Sequence, residues 1–188
     1  EEVDLTGLAG EVATEFAAAA ERHDATVRVD AGAGEPHAQA DRARTAQILR
    51  ILVDNALKHT APGTEIAISP SSTAVEARVT VADDGPGIDP RSRDRIFDRF
   101  YTADSVSGSG LGLAIGRELA RAMGGDVVLD PRRGRGASIS QKQPPYGAAH
   151  GRRHARGREG EGRGGRAPHG PPFVHRDERR DLDLDDAQ

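Results

Sequence analysis

The chain of 188 residues carries 26 Lys and Arg against 30 Asp and Glu, and its net charge of −4 does not indicate nucleic acid or an anionic membrane as the main partner. Because it has no cysteine, disulfide frameworks, thiolate metal sites and cysteine nucleophiles are excluded. No apolar run reaches the roughly 20 residues that span a bilayer, and the acidic start from Glu1 to Asp4 is the reverse of a basic signal peptide. We therefore expect a soluble chain, and the absence of an initiator Met suggests a piece of a longer chain.

Hydrophobic periodicity and turn residues predict helices and strands up to residue 140. In chain order they are a helix over residues 5 to 22, a strand over 26 to 30, a helix over 41 to 59, a hairpin of strands 65 to 69 and 75 to 82 with its turn at 70 to 73, a short helix over 91 to 100, a flexible loop over 102 to 110, a helix over 111 to 123, and strands over 126 to 129 and 137 to 140. Because hairpins dominate this order, we expect an α/β two-layer sandwich in which helices cover one face of a mixed, largely antiparallel sheet.

Residues 141 to 188 differ in composition from the rest of the chain. They are rich in Arg, Gly and Pro, and their large apolar residues are Tyr146, Phe173, Val174, Leu182 and Leu184. Such a segment cannot bury enough apolar surface to offset the entropy of the chain. We expect one domain over residues 1 to 140 and a disordered tail over residues 141 to 188.

The sequence Asp83-Asp84-Gly85-Pro86-Gly87-Ile88 directly follows a predicted strand. Glycines at such a point let a ligand approach the main chain closely. A carboxylate at the end of the strand can accept a hydrogen bond from an exocyclic amine, such as that of a purine. An ordinary Asp-Gly turn is the alternative interpretation.

A second motif, Gly108-Ser109-Gly110-Leu111-Gly112-Leu113, is a glycine-rich loop that leads into a predicted helix. Unpaired amides and the positive end of the helix dipole favour a phosphate at such a place. No Gly-Lys-Ser/Thr follows, as it does in a Walker loop, and no β-α-β unit surrounds the motif, as in a dinucleotide site. A flexible linker before a helix is the alternative.

Asn55, Lys58 and His59 are separated by three and four residues, so they share one face of the second helix. The Asn oxygen can reach a hard cation, and the Lys charge can contact a phosphate. A solvated polar face is the alternative.

The order and spacing of Asn55-Ala-x-Lys58, Asp83-x-Gly85-x-Gly87, Ile96 to Phe100, and Gly108 to Leu113 resemble the catalytic and ATP-binding domain of bacterial sensor histidine kinases. That domain belongs to a superfamily with gyrase, the Hsp90 chaperones and MutL. The resemblance covers about residues 3 to 140. It implies the Bergerat-type ATP-binding fold, with ATP and Mg²⁺ as cofactors.

The resemblance also implies roles for single residues on the adenine side of the site. Asp83 matches the aspartate that hydrogen-bonds the adenine amine. Gly85, Gly87 and Ile88 match residues that shape the adenine pocket.

On the phosphate side, the resemblance implies that Asn55 coordinates the Mg²⁺ that bridges the phosphates. Lys58 matches a basic residue that faces the phosphates, and His59 matches a position that lines the nucleotide. Arg99 is a candidate phosphate contact. Asn55, Lys58 and Arg99 are thus the candidate catalytic residues.

The resemblance further implies a lid over the nucleotide, spanning about residues 101 to 110. Its apolar anchors match Phe97 and Phe100. The glycine box that hinges the lid and cradles phosphate matches Gly108, Gly110, Leu111, Gly112 and Leu113.

Ile51 departs from the family pattern, which has Asn at this place in kinases and Glu in the hydrolytic relatives. An isoleucine can neither hold a cation nor take a proton, which argues against an efficient ATPase. Asp54 lies roughly 100° around the helix from Asn55 and is a poor candidate for the base.

None of the seven histidines has the sequence context of the family's phosphoacceptor. The resemblance therefore implies that the γ-phosphate passes to a histidine on a separate dimerisation domain, upstream of Val3, and then to a response regulator. We expect a monomeric fragment that binds ATP but does not phosphorylate itself, in a parent kinase that is either soluble or membrane-anchored. A degenerate nucleotide-binding module without phosphotransfer is the alternative function.

The end of the domain is the last departure. Relatives continue the final strand with alternating apolar residues and close it with Leu-Pro, whereas here Ile139 is followed by Ser140-Gln141-Lys142-Gln143-Pro144. We expect a shortened edge strand and a less stable domain. One hypothesis is that a frameshift in a GC-rich gene replaced the native ending, which sequencing the gene would test. The Arg-Gly tail lacks interleaved aromatics, so we expect no nucleic acid partner.

Overall fold

The computed structural model describes residues 1–32, 34–102, 108–131 and 136–147. Its elements are β1 (Glu2–Asp4), α1 (Leu5–Arg22), β2 (Thr26–Val29), β3 (His37–Gln39), α2 (Arg42–His59), β4 (Glu65–Ser72), β5 (Ala77–Asp83), α3 (Gly112–Ala122), β6 (Asp126–Leu129) and β7 (Ser138–Gln143). The helices predicted at α1, α2 and α3 are confirmed nearly to the residue. In these ranges no helix is long and apolar enough to cross a membrane.

Five strands form the main sheet in the order β2-β4-β5-β7-β6. Only β2 and β4 are parallel, and every other pair in this sheet is antiparallel. The three helices pack side by side against the sheet, α1 on β2 and β4, α2 mainly on β5, and α3 mainly on β6. The predicted α/β two-layer sandwich with a mixed, largely antiparallel sheet is therefore confirmed. The small antiparallel sheet of β1 and β3 was not predicted.

Local sequence explains where the two long helices begin. The Asp4 carboxylate accepts a hydrogen bond from the Thr6 amide at 2.9 Å, and the Asp41 carboxylate accepts one from the Arg44 amide at 3.0 Å. Each satisfies one of the unpaired N–H groups at a helix start. The buried faces of these helices and the inward side chains of β4 and β5 form the core, which includes Leu8, Val12, Ile48, Leu49, Leu52, Val53, Ile66, Ile68 and Val79.

The first predicted hairpin turn is displaced along the chain. Residues 70 to 72 belong to β4, with Pro70 opposite Val79, and the turn lies at Thr73 to Glu76, where the Thr73 amide donates to the Glu76 carbonyl. Pro70 is tolerated because β2 ends at Val29, so β4 has a neighbour on only one side at that point.

The predicted helix over residues 91 to 100 is wrong. These residues form consecutive turns, in which the Ser92, Arg95 and Asp98 amides each donate to a carbonyl three residues earlier. The Asp89 carboxylate accepts from the Arg91 amide at 2.8 Å. Such a local side-chain bond competes with regular helix formation.

The predicted shortened edge strand is also wrong. β7 runs from Ser138 to Gln143 and lies between β5 and β6, so its backbone is paired on both sides. The ladder continues past it, since the Gln39 amide donates to the Pro144 carbonyl. Residues 141 to 147, predicted as the start of a tail, therefore belong to the folded domain. The predicted disorder of residues 148 to 188 lies outside the described residues.

Candidate functional site

Asp83 ends β5 and is buried, with its carboxylate held by the main chain. Its Oδ1 atom accepts hydrogen bonds from the Gly85 amide at 3.0 Å and from the Ala137 amide at 3.2 Å. The Asp83 amide in turn donates to the Ala137 carbonyl at 3.0 Å. Because two backbone donors fix one oxygen, the plane of the carboxylate is set by the sheet and the following loop. A carboxylate held in one orientation is suited to act as a hydrogen-bond acceptor.

The two glycines after Asp83 are required by close packing. A Cβ atom at Gly85 would lie 2.7 Å from the Thr60 methyl carbon. Gly87 has φ +80°, and a Cβ there would lie 2.9 Å from the Gly136 carbonyl oxygen. Side chains at either position would displace the loop that presents Asp83. Ile88, next in the loop, is half-buried against the core.

The three predicted residues at the end of α2 differ in their surroundings. Asn55 is half-buried, whereas Lys58 and His59 are exposed. The Lys58 ammonium pairs with the Asp54 carboxylate at 2.6 Å, one helical turn away. An exposed pair of this kind contributes little to stability and is easily exchanged for another anion. Lys58 is therefore available to a phosphate.

The described ranges contain no group of three His, Asp or Glu side chains that could hold a metal ion. The Asn55 amide oxygen is the hard ligand among the predicted site residues of α2. Mg²⁺ accepts such a sparse protein site, because it keeps several waters and takes further oxygens from substrate phosphates. The donor set thus fits a Mg²⁺ that is shared with a nucleotide.

Ile51 has a packing role in this structure. A Cβ atom at Gly112 would lie 3.5 Å from its Cγ2 atom, and one at Gly116 would lie 3.8 Å from the same atom. The isoleucine therefore fills the space between α2 and α3 next to these two glycines. Ile51 is thus part of the contact between α2 and α3.

The turn segment over residues 91 to 100 is fixed to α3 by side chains. The Arg117 guanidinium lies over the Phe97 ring, 4.7 Å from its centre. Arg99 forms a forked pair with Glu118, with hydrogen bonds of 2.7 to 3.0 Å. The predicted phosphate contact is thus held on α3 in this structure. Phe97 is half-buried against the core.

Phe100 and the glycine box meet at the base of the predicted lid. Phe100 has φ +64° and is 73% exposed, and its amide donates to the Gly110 carbonyl at 2.9 Å. Gly110 has φ +65°, and a Cβ there would lie 2.6 Å from the Phe100 carbonyl carbon. Gly108 also has positive φ, and Leu111 precedes α3. The predicted lid residues 103 to 107 lie outside the described residues.

The structure therefore brings together Asp83, Gly85, Gly87 and Ile88, and joins this loop to α2 through Thr60. The structure pairs Arg99 with Glu118 of α3. Three contributions were not predicted: the Ala137 amide, the Thr60 methyl group and the Glu118 carboxylate. The sequence signal for two of them was position alone, since Thr60 follows His59 and Ala137 follows Gly136.

A cavity of about 480 Å³ borders the loop and is lined by Gly87, Ile88, Phe97, Arg117 and Asp130 among others. It includes neither Asp83 nor Asn55, so it is not by itself the predicted nucleotide site. A cavity of about 650 Å³ lies at the start of α2, beside Asp41 and Met123. None of the predicted site residues lines that larger cavity.

Comparison with known proteins finds histidine kinases, both among family models and among curated relatives. The family model described as "Histidine kinase-, DNA gyrase B-, and HSP90-like ATPase" matches residues 40–147, which include all of β7. Sensor histidine kinase WalK of Bacillus subtilis is 33% identical over 115 residues, covering 57% of this chain and 19% of WalK. Sensor protein IrlS of Burkholderia pseudomallei is 39% identical over 112 residues, covering 57% of this chain and 24% of IrlS. The matched part thus spans about a fifth to a quarter of these relatives.

Solved structures resemble the fold over a larger part of the chain. The nucleotide-free catalytic domain of histidine kinase ThkA has a TM-score of 0.69 at 28% identity, covering 77% of this chain and 94% of that one. Full-length ShkA in complex with AMPPNP has a TM-score of 0.69 at 34% identity, covering 77% of this chain and 31% of that one.

Proposed function

This chain belongs to the family of histidine kinase-, DNA gyrase B- and HSP90-like ATPases, as a catalytic domain of the sensor histidine kinase type, and we propose that it binds ATP at Asp83 and transfers the γ-phosphate to a histidine. The observation that carries the proposal is the Asp83 carboxylate, whose Oδ1 is held by the Gly85 and Ala137 amides. A carboxylate of fixed orientation beside a glycine loop suits the adenine amine. The AMPPNP complex of the similar ShkA supports a nucleotide ligand.

The residues at the end of α2 face the phosphates in this proposal. Asn55 offers its amide oxygen to Mg²⁺, Lys58 leaves Asp54 to contact a phosphate oxygen, and His59 lines the nucleotide. Mg²⁺, when bound, neutralises charge on the phosphates. Arg99 contacts a phosphate in this proposal after it leaves Glu118. Glu118 is an exposed carboxylate, which a more highly charged anion such as a phosphate can replace.

The reaction is phosphoryl transfer to nitrogen. A bond forms between the γ-phosphorus and an imidazole nitrogen, the bond to the β–γ bridging oxygen breaks, and ADP leaves. This chain contributes positioning and electrostatic stabilisation. We place the acceptor histidine on a dimerisation domain of the same kinase and the next acceptor on a response regulator. The solved complex of the similar histidine kinase ThkA with the response regulator protein TrrA supports a response regulator as partner. A cytoplasmic location follows from the need for ATP.

A nucleotide-binding module without phosphotransfer is the second candidate. Two observations favour it: Ile51, where the family pattern has a polar residue, packs against α3, and Arg99 is paired with Glu118. In this second candidate Arg99 stays paired with Glu118, so the groups that would act on the γ-phosphate are missing while the adenine side of the site is unchanged. Transfer to a separately expressed acceptor domain decides between the two candidates.

Calorimetric titration of ATP with Mg²⁺ tests the proposal. We expect binding in the micromolar range, weakened at least about tenfold in Asp83→Asn, because a hydrogen bond to a charged group contributes roughly 1.5–3 kcal/mol. Asp84→Asn is the matched control. Asp84 is exposed, and its carboxylate accepts a hydrogen bond from the amide of Glu65, which lies outside the loop. No binding by the folded wild-type chain, or equal loss in both variants, would contradict the proposal. Radiolabelled phosphate on the acceptor histidine would exclude the second candidate.

A further inference from the structure

Thr60 lies where α2 ends and contacts the loop that follows Asp83. It is the C-terminal cap residue of α2, with extended backbone at φ −117° and ψ 156°, and its side chain is buried. Its hydroxyl donates to the Ala56 carbonyl at 2.8 Å. This bond fixes the side-chain rotamer and points the methyl group away from the helix.

The Thr60 methyl group packs against Gly85. A Cβ atom at Gly85 would lie 2.7 Å from this methyl carbon and 3.0 Å from the Asp83 Oδ1 atom. The methyl group and the carboxylate therefore flank the same glycine. Because the Gly85 amide holds Oδ1, a displacement of Gly85 toward vacant space at Thr60 would tilt the carboxylate.

His23 fixes Thr60 from the other side. Its Nε2 atom lies 2.9 Å from the Thr60 carbonyl oxygen, and since a carbonyl only accepts, Nε2 carries the hydrogen. His23 is itself the C-terminal cap residue of α1, where its amide bonds the last helical carbonyls. The turn after it also holds the segment that follows Thr60, because the Gly63 amide donates to the Asp24 carbonyl and the Thr26 amide donates to the Thr64 carbonyl.

A connected series of contacts thus runs from the end of α1 to the base of the site: His23, Thr60, Gly85, Asp83. We propose that Thr60 and His23 are positioning residues that set the orientation of Asp83 and hence the preference for adenine. The inference rests on the proposed function, in which Asp83 accepts a hydrogen bond from the adenine amine. Neither residue contacts the nucleotide in this proposal.

A purely structural role is the competing explanation, since the bond between these residues also joins the ends of α1 and α2. The two explanations predict different affinities for a nucleotide that lacks the adenine amine. Inosine triphosphate carries a carbonyl where ATP carries the amine, so it offers Asp83 an acceptor, and no donor, at that position. A loss of folded protein weakens the binding of both nucleotides equally, whereas a tilted carboxylate weakens only ATP.

The experiment measures the affinities of ATP and inosine triphosphate, each with Mg²⁺, by calorimetry. Thr60→Ser keeps the hydroxyl and removes the methyl group, and Thr60→Val keeps the methyl group and removes the hydroxyl. We expect Thr60→Ser and His23→Ala to lower the ratio of ATP to inosine triphosphate affinity at least about threefold. Thr60→Val keeps the methyl contact, and the Gln side chain in His23→Gln can again donate to the Thr60 carbonyl. Both variants should therefore lower the ratio of ATP to inosine triphosphate affinity less than Thr60→Ser and His23→Ala do. Arg22→Ala, on the exposed end of α1, is the unchanged control.

The outcomes are distinguishable. If wild-type protein binds neither nucleotide, or binds both equally, the proposed function fails. If wild-type protein prefers ATP and Thr60→Ser and His23→Ala keep that preference, or lose both affinities in parallel, the positioning role is overturned. An equal loss of preference in Thr60→Ser and Thr60→Val would also overturn it, since the methyl contact would then not be the cause.

Discussion

The neighbouring strands β5 and β7 have the same backbone environment but different side chains on the face that meets the helices. Both lie inside the sheet, and their register pairs Val81 with Ile139, Val79 with Gln141 and Ala77 with Gln143. On β5 every inward position before Asp83 is apolar, whereas β7 places glutamines at two of three. Gln141 is 1% exposed and Gln143 is 4% exposed.

The difference shows that backbone pairing on both sides can hold a strand whose inward face is largely polar. β7 has a hydrogen-bonding neighbour on each side, and this holds although its inward pattern is not apolar. Neither amide group of the two glutamines has a hydrogen-bond partner within the described part of the chain. A buried polar group left unpaired costs roughly 1–3 kcal/mol, so we expect these two glutamines to lower the stability of the domain.

The position of the glutamines also matters for the site. Ala137, whose amide holds Asp83, precedes the end of β7 where Ile139 and Val81 pack together. Gln143 lies at the opposite end of the strand, beside Ala77. The well-packed end of the two strands therefore carries the candidate site, and the poorly packed end lies away from it.

Making β5 like β7 should have the largest effect. We expect Val79→Gln to lower the free energy of unfolding by about 3–5 kcal/mol, since it removes a buried apolar side chain and adds an unpaired amide. Urea unfolding followed by circular dichroism measures this. Val75→Gln is the matched control, because Val75 is 83% exposed in the turn before β5, and such surface changes usually stay within about 0.5 kcal/mol. Equal effects of the two substitutions would mean that the inward face of β5 is not the core.

Making β7 like β5 should have the opposite and smaller effect. We expect Gln141→Val and Gln143→Leu each to raise the free energy of unfolding by about 1–3 kcal/mol, because each removes an unpaired buried amide. Unfolding in urea with an unchanged m-value is the measurement. Gln39→Leu, on an exposed side chain of β3, is the control. A neutral or destabilising result would mean that internal water satisfies the glutamines.

This comparison also explains what could be predicted from the sequence. α1 and α2 follow from apolar residues at helical spacing and from the capping aspartates Asp4 and Asp41, which are local signals. The length of β7 could not be predicted in this way, because Gln141 and Gln143 interrupt the alternation on which strand prediction depends. Its pairing partners lie far away in sequence, so only the folded chain specifies it.

The residues of the site likewise divide into those with a local sequence signal and those that act across the fold. Asp83 and its glycines were predicted because strand, carboxylate and turn are adjacent in sequence. Thr60 and Glu118 were missed, because each acts across the fold on a residue from another element, and in sequence each resembles an ordinary helix residue. Ile51, which sequence comparison marked as a departure, proves to pack against α3.

A pH experiment tests what holds β6, the edge strand that pairs with β7 on the side away from β5. Asp126 begins β6, and its carboxylate accepts hydrogen bonds from Arg117 at 2.9 Å, from Arg121 at 3.2 Å and from the Val127 amide at 2.8 Å. Burial would raise the pKa of Asp126, but the bonds from the two arginines and the amide offset this and lower the pKa from its ordinary value of 3.8.

Because the pKa of Asp126 is lower in the folded state, its contribution to stability is complete above the unfolded value of 3.8 and is lost as pH falls through the folded value. We expect Asp126→Asn to lower the free energy of unfolding by about 0.5–1 kcal/mol near pH 7, the solvent exposure of these groups keeping the effect small. The difference from wild type should shrink as pH falls below about 4. Urea unfolding across this range measures it, with exposed Asp94→Asn as the control. A difference that does not change with pH would mean that the α3 arginines do not hold β6 through this carboxylate, leaving pairing with β7 to keep the edge strand in place.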